Sequence, residues 1–85
     1  MTNPLAPYLA PLPLIAVLRG ITPEEIPAIA AVLVDEGFRV LEVPLNSPRP
    51  FQSIRALAAS VGDRCLVGAG TVLAPADVAQ VKAAG

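Results

Sequence analysis

The chain has 85 residues, of which 54% are hydrophobic and 15% charged, and its formal net charge is −1. That length is room for one small domain at most, and the apolar content excludes disorder. The six cations (Arg19, Arg39, Arg49, Arg55, Arg64 and Lys82) are scattered, so neither nucleic acid nor an anionic membrane surface is expected as a partner.

One cysteine, Cys65, and no histidine narrow the chemistry further. An intramolecular disulfide is impossible, so a reducing cytoplasm is the default location. Metal sites of the His or paired-Cys kind and Ser–His or Cys–His catalytic pairs are excluded within this chain.

The apolar start, Met1 to Leu18, contains Pro4, Pro7, Pro11 and Pro13 and lacks a basic leading stretch. Prolines at that density break helices, so it fits neither a signal peptide nor a membrane span. Residues 1–13 read as a proline-rich, irregular leader, and residues 14–85 as the domain proper.

From Leu14 a pattern begins and repeats. Leu14–Leu18, Arg39–Val43 and Cys65–Ala69 are strand-like apolar runs, starting 25 and 26 residues apart (14 to 39, 39 to 65). Continuous runs of this kind suit strands covered on both faces, as in parallel sheets.

Helical segments lie between the runs. Thr22-Pro23-Glu24-Glu25 has a capping residue, a proline for the first helical position and a glutamate to complete a capping box. Ile26, Ile29, Ala30, Leu33 and Val34 then share one face, and Gly37 is placed to cap the C-terminus. Pro27 is awkward there because it removes a backbone donor. A second helix is expected from Ser47-Pro48, with a stripe of Phe51, Ile54, Leu57, Ala58 and Val61 ending at Gly62. A third is expected from Pro75, with Asp77 in its first turn, Val78 and Val81 as its stripe, and Gly85 as its cap.

Three strand–helix repeats imply right-handed crossovers and a parallel sheet. A doubly wound sheet and part of a (β/α)8 TIM barrel both satisfy that pattern. In both, ligands meet the C-terminal ends of the strands. The polar residues there are Arg19, then Glu42 with Asn46 and Ser47, then Thr71.

Glu42 is the sharpest signal, since a charged residue is seldom buried unless paired or functional. Alternation puts Val40, Glu42 and Pro44 on one face and Leu41 and Val43 on the other. If Leu41 and Val43 meet the helices, Glu42 points into a barrel. Loss of water there favours its protonated form and suits it to proton transfer. The competing reading is an edge strand, with Glu42 in solvent or paired with Arg19.

Arg19 has a planar fork for a carboxylate or phosphate, though it also fits an ordinary surface arginine. Gly68-Ala69-Gly70-Thr71 would let a ligand approach the backbone, but it has neither the dinucleotide fingerprint nor a P-loop lysine, and a tight turn explains it as well. Cys65 fits a small core residue, because no base accompanies it. Lys82, the only lysine, reads as a solvated side chain on a late helical turn and not as a Schiff-base former.

The motifs taken together resemble a known family. Ile15-Ala16-Val17-Leu18-Arg19-Gly20, Val40-Leu41-Glu42-Val43-Pro44-Leu45-Asn46-Ser47-Pro48 and Val67-Gly68-Ala69-Gly70-Thr71-Val72-Leu73 are similar to the 2-keto-3-deoxy-6-phosphogluconate and 6-phosphogalactonate aldolases. The likeness runs from about Pro13 to Gly85. It implies a (β/α)8 barrel, commonly a homotrimer, of which this chain supplies the first three βα units.

It also implies a class I mechanism without metal or organic cofactor. A lysine on a later strand, absent here, forms the imine. Glu42 matches the general acid/base, and Arg19 and Thr71 match substrate-binding positions. The substrate class is a small phosphorylated 2-keto-3-deoxy sugar acid. Pro44 and Asn46 look like the galactonate branch, because the gluconate branch tends to carry a threonine and an arginine there. The alternatives are the gluconate aldolase, a non-enzymatic βα module that binds an anion or assembles with other chains, and a small doubly wound nucleotide-binding domain. The isolated 85 residues, without the imine lysine, are expected to be inactive.

Overall fold

The computed structural model describes residues 3–85. Met1 and Thr2, the first residues of the expected leader, lie outside them. The rest of the leader is not wholly irregular: Ala6–Leu9 forms a single helical turn, α1. Pro7 stands at its start, where a missing N–H costs nothing.

The three apolar runs form one parallel sheet in the order β1-β2-β3. Its strands are β1 (Ala16–Val17), β2 (Val40–Pro44) and β3 (Leu66–Gly70). The second and third begin and end one residue later than the apolar runs suggest. The first is only two residues long and pairs with β2.

A 3-10 turn, Pro23–Glu25, leads into α2 (Ile26–Asp35). The expected capping box is present. The Glu25 carboxylate accepts from the Thr22 N–H at 2.9 Å and from the Thr22 hydroxyl at 3.0 Å. The 3-10 turn also answers the difficulty of Pro27. The α-helix proper starts at Ile26, so Pro27 falls in its first turn, where a donor has no intrahelical partner. Gly37 closes the helix with φ +101°. Its N–H donates to the Val34 carbonyl and that of Phe38 to the Leu33 carbonyl, both at 3.0 Å, a Schellman arrangement.

α3 spans Pro50–Val61 and α4 spans Pro75–Ala84. α3 starts later than Ser47-Pro48 because Arg49 takes a left-handed conformation, φ +43°, and Pro50 occupies the opening position instead. Gly62 follows α3 with an ordinary helical φ of −61°, so that end lacks a left-handed cap. Gly85 does close α4 as expected, with φ +107°.

One core holds these parts together. Ile26, Ala30 and Val34 of α2 pack with Ile54, Leu57 and Val61 of α3, with Ala84 of α4, and with Leu41 and Val43 of the sheet. Leu57, Leu41 and Val43 are completely buried. Each such side chain stabilises the fold by roughly 1.5–3 kcal/mol. Ile29 sits at the rim at 36% exposure, and Val78 is 59% exposed, so α4 packs through Val81 and Ala84 alone.

Because all three long helices share one cluster, they cover one face of the sheet. The opposite face is bare of long helices, although Val40 and Pro44 on its central strand are buried. Ile15, Val17 and Leu66 are 46%, 53% and 36% exposed. The two outer edges, on β1 and β3, have no strand beside them among the described residues.

Candidate active site

Glu42 is the only charged residue within the three strands. Leu41 and Val43 on either side of it face the helices. Pleating therefore turns Glu42 to the bare face. It is partly buried there, with Val40 and Pro44, its buried same-face neighbours, before and after it on the central strand. This is the orientation that the barrel reading requires, and it disposes of the edge-strand alternative. Among the described residues no ion pair links Glu42 to Arg19.

Register fixes what surrounds the carboxylate. Val17 and Gly68 lie directly beside Glu42 on β1 and β3. The Leu18 N–H donates to the Glu42 carbonyl at 2.9 Å, which sets Arg19 one residue beyond, at the C-terminal end of β1. The Leu45 N–H donates to the Gly70 carbonyl at 2.9 Å, which sets Thr71 at the same end of β3. Arg19 and Thr71 thus follow the C-terminal ends of β1 and β3, and Glu42 stands two residues before the C-terminal end of β2 between them.

The Glu42 side chain leans over β3. A Cβ built at Gly70 would collide with its carboxylate, which lies against the Gly70 backbone. At Gly70 it is a side chain of the same chain, not a ligand, that comes close to the backbone. Thr71 follows with φ +54°. A β-branched residue in the left-handed region is strained by about 1–2 kcal/mol. Strain of this kind concentrates where a chain must aim a group.

Two contacts that sequence patterning did not foresee tie the first two loops together. The Gly20 N–H donates to the Ser47 Oγ at 3.0 Å. Ser47 is buried, and its own N–H donates to the Pro44 carbonyl at 3.1 Å. It is therefore a bracket between the loop after β1 and the loop after β2, not a helix cap. Arg49 donates to the Glu24 carboxylate at 2.6 Å, joining the same two loops at the surface. That hydrogen bond holds the Glu24 carboxyl below the usual carboxylate range and raises Arg49. Two prolines, Pro48 and Pro50, compete for the helix start in the sequence; choosing Pro50 would have freed Ser47 for this role.

A concavity of about 300 Å³ opens beside Leu18, Arg19, Gly20, Ile21, Glu25 and Ile29. Arg19 lines it, but Glu42 and Thr71 do not, so it is distinct from the strand-end site. Cys65 is buried, with Sγ 3.7 Å from the Phe38 carbonyl, and burial pushes its thiol up. It is a core residue, as expected. Lys82 is exposed in the last turn of α4, also as expected. Among the described residues no helix is long and apolar enough to cross a membrane.

The family model for KDPG and KHG aldolases matches residues 6–85. The chain belongs to that aldolase family. The match takes in the α1 turn and residues 6–13 of the leader.

The chain is 55% identical over 67 residues to the 2-dehydro-3-deoxy-6-phosphogalactonate aldolase of Escherichia coli K12, covering 79% of this chain and 33% of that one. It is 47% identical over 73 residues to a probable aldolase of the same name from Rhizobium meliloti, covering 86% and 34%. The native KDPGal structure superposes with a TM-score of 0.84 at 51% identity, covering 87% of this chain and 36% of that one. The chain spans about a third of the length of the curated relatives it matches. Its three βα units are accordingly part of the aldolase (β/α)8 barrel, and the doubly wound alternative falls away.

Proposed function

We propose that these residues are the N-terminal portion of a class I aldolase that cleaves 2-keto-3-deoxy-6-phosphogalactonate to pyruvate and glyceraldehyde 3-phosphate. The observation that carries the proposal is Glu42, a lone carboxylate on the bare face of the sheet, at the level where a closed barrel would hold a keto acid.

In this reading a lysine beyond these residues attacks the C2 ketone of the substrate and water leaves, forming an iminium. Glu42 gives the proton that lets the hydroxyl depart as water, and it takes the C4 hydroxyl proton as the C3–C4 bond breaks. The bonding pair flows to the iminium nitrogen, leaving an enamine of pyruvate and the free aldehyde. Protonation at C3 and hydrolysis then release pyruvate. Arg19 supplies two parallel donors for the substrate carboxylate, and the Thr71 hydroxyl holds the keto-acid end. The isolated 85 residues, lacking the imine lysine, turn over nothing by this route.

The galactonate assignment is supported by Pro44 and Asn46 in the motif after Glu42 and by the names of the two relatives above. The proposal includes a homotrimer working in the cytoplasm. The test is a completed polypeptide that joins these 85 residues to the part of the E. coli relative beyond its match. Supplied with the two C4 epimers, it should release pyruvate faster from the 6-phosphogalactonate compound. Preference for the 6-phosphogluconate compound would reverse the branch. A folded polypeptide that cleaves neither would favour the non-enzymatic module.

A further inference from the structure

We infer that Gly70 is a positioning residue for Glu42, and that its missing side chain is what lets the Glu42 carboxylate rest at the end of β3. The inference rests on the proton-transfer reading of Glu42.

The geometry separates this glycine from its neighbour in the same strand. Gly68 stands directly beside Glu42 in register, yet a Cβ there meets nothing within 4 Å. A Cβ at Gly70 would overlap the carboxylate, with even the farther oxygen, Oε1, only 3.2 Å away. The Glu42 side chain therefore does not stand straight off its own strand. It reaches diagonally towards Gly70 at the C-terminal end of β3.

Conformation gives no separate reason for glycine at this position. Gly70 is not among the residues with positive φ, so its backbone is open to any L-residue. What demands glycine is space. Nor can Gly70 withdraw, because its carbonyl accepts the Leu45 N–H at 2.9 Å and its Cα is paired with Pro44 in the ladder. The group that must yield to a methyl is the flexible end of Glu42. A displaced glutamate costs the fold little, because its carboxylate has no partner to lose among the described residues. It costs proton transfer a great deal, since a catalytic group moved by about an ångström can lose about a hundredfold in rate.

The experiment is a double-mutant cycle on the completed polypeptide, read by turnover and thermal melting. In the otherwise unchanged polypeptide, Gly70→Ala should lower kcat about tenfold to a hundredfold, with a smaller change in KM and an unshifted melting midpoint. In a Glu42→Gln background, the same substitution should cause less than about a twofold further loss. The inference is overturned if Gly70→Ala leaves kcat unchanged while Glu42→Gln lowers it. It is equally overturned if Gly70→Ala costs the same factor in both backgrounds, which would mark a role in folding. Unchanged turnover in Glu42→Gln alone would remove the proton-transfer reading and this inference with it.

Discussion

On the helix-covered side of the sheet, Leu41 and Val43 are wholly buried and touch residues from α2 and α3. On the other side, Ile15 and Val17 are about half exposed, and the only charge in the strands stands among them. The first face is finished by these 85 residues alone. The second face is apolar and left exposed on its outer strands, and the sheet's edges offer unpaired backbone to any strand that comes near. Stability therefore resides on one side of β2 and the candidate chemistry on the other. A single strand serves both because alternate side chains point opposite ways.

The sharpest way to break that division is on the covered side. Leu57→Ala should destabilise the completed polypeptide by about 2–5 kcal/mol in denaturant unfolding, because α3 cannot collapse fully into the space left. A loss under about 1 kcal/mol would mean that the α3 core is not where the fold is held.

Ser47→Ala tests the bracket between the first two loops. It leaves the Gly20 N–H without its acceptor, at a cost of about 1–3 kcal/mol if water cannot replace the hydroxyl. Hydrogen exchange at the Gly20 amide should quicken in the variant. Unaltered exchange would show that Ser47 does not restrain the loop carrying Arg19.

The bare face should respond differently in the two lengths of chain. Val17→Thr should change the stability of the isolated 85 residues by no more than about 0.5 kcal/mol, as surface substitutions do. In the completed polypeptide, where strands would close over it, the loss should be larger. Equal effects in both would argue against enclosure of this face.

The smallest effect belongs to the Glu24–Arg49 pair, which lies exposed at the surface. Its hydrogen bond lowers the folded carboxyl, so its contribution is present at neutral pH and fades as the pH falls through the carboxylate range. Glu24→Gln should lower the melting midpoint slightly at neutral pH, and the difference from the unaltered protein should vanish as the pH falls through the carboxylate range. A large change at neutral pH would contradict its assignment as a surface tie.

Much of this was legible in the sequence for identifiable reasons. Three apolar runs at even spacing, each followed by a helix signal, admit few topologies. The capping box at Thr22–Glu25 and the cap at Gly37 depend on local bonds, and both are present in the structure. The direction of Glu42 followed from alternation once Leu41 and Val43 were assigned to the core. What stayed hidden depends on contacts distant in the chain. Ser47 meets Gly20, 27 residues earlier, and Gly70 accommodates a side chain from the neighbouring strand. Boundaries shifted wherever a third influence intervened, such as the left-handed Arg49 that delays α3 to Pro50.

The central claim is that the bare face of β2 presents a proton-transferring carboxylate to a keto acid. Its most direct test is turnover of the completed polypeptide carrying Glu42→Gln, run beside borohydride trapping with pyruvate. The account predicts a loss of about a hundredfold to ten-thousandfold in kcat with the trapped imine still formed. Turnover equal to that of the unaltered polypeptide would contradict it.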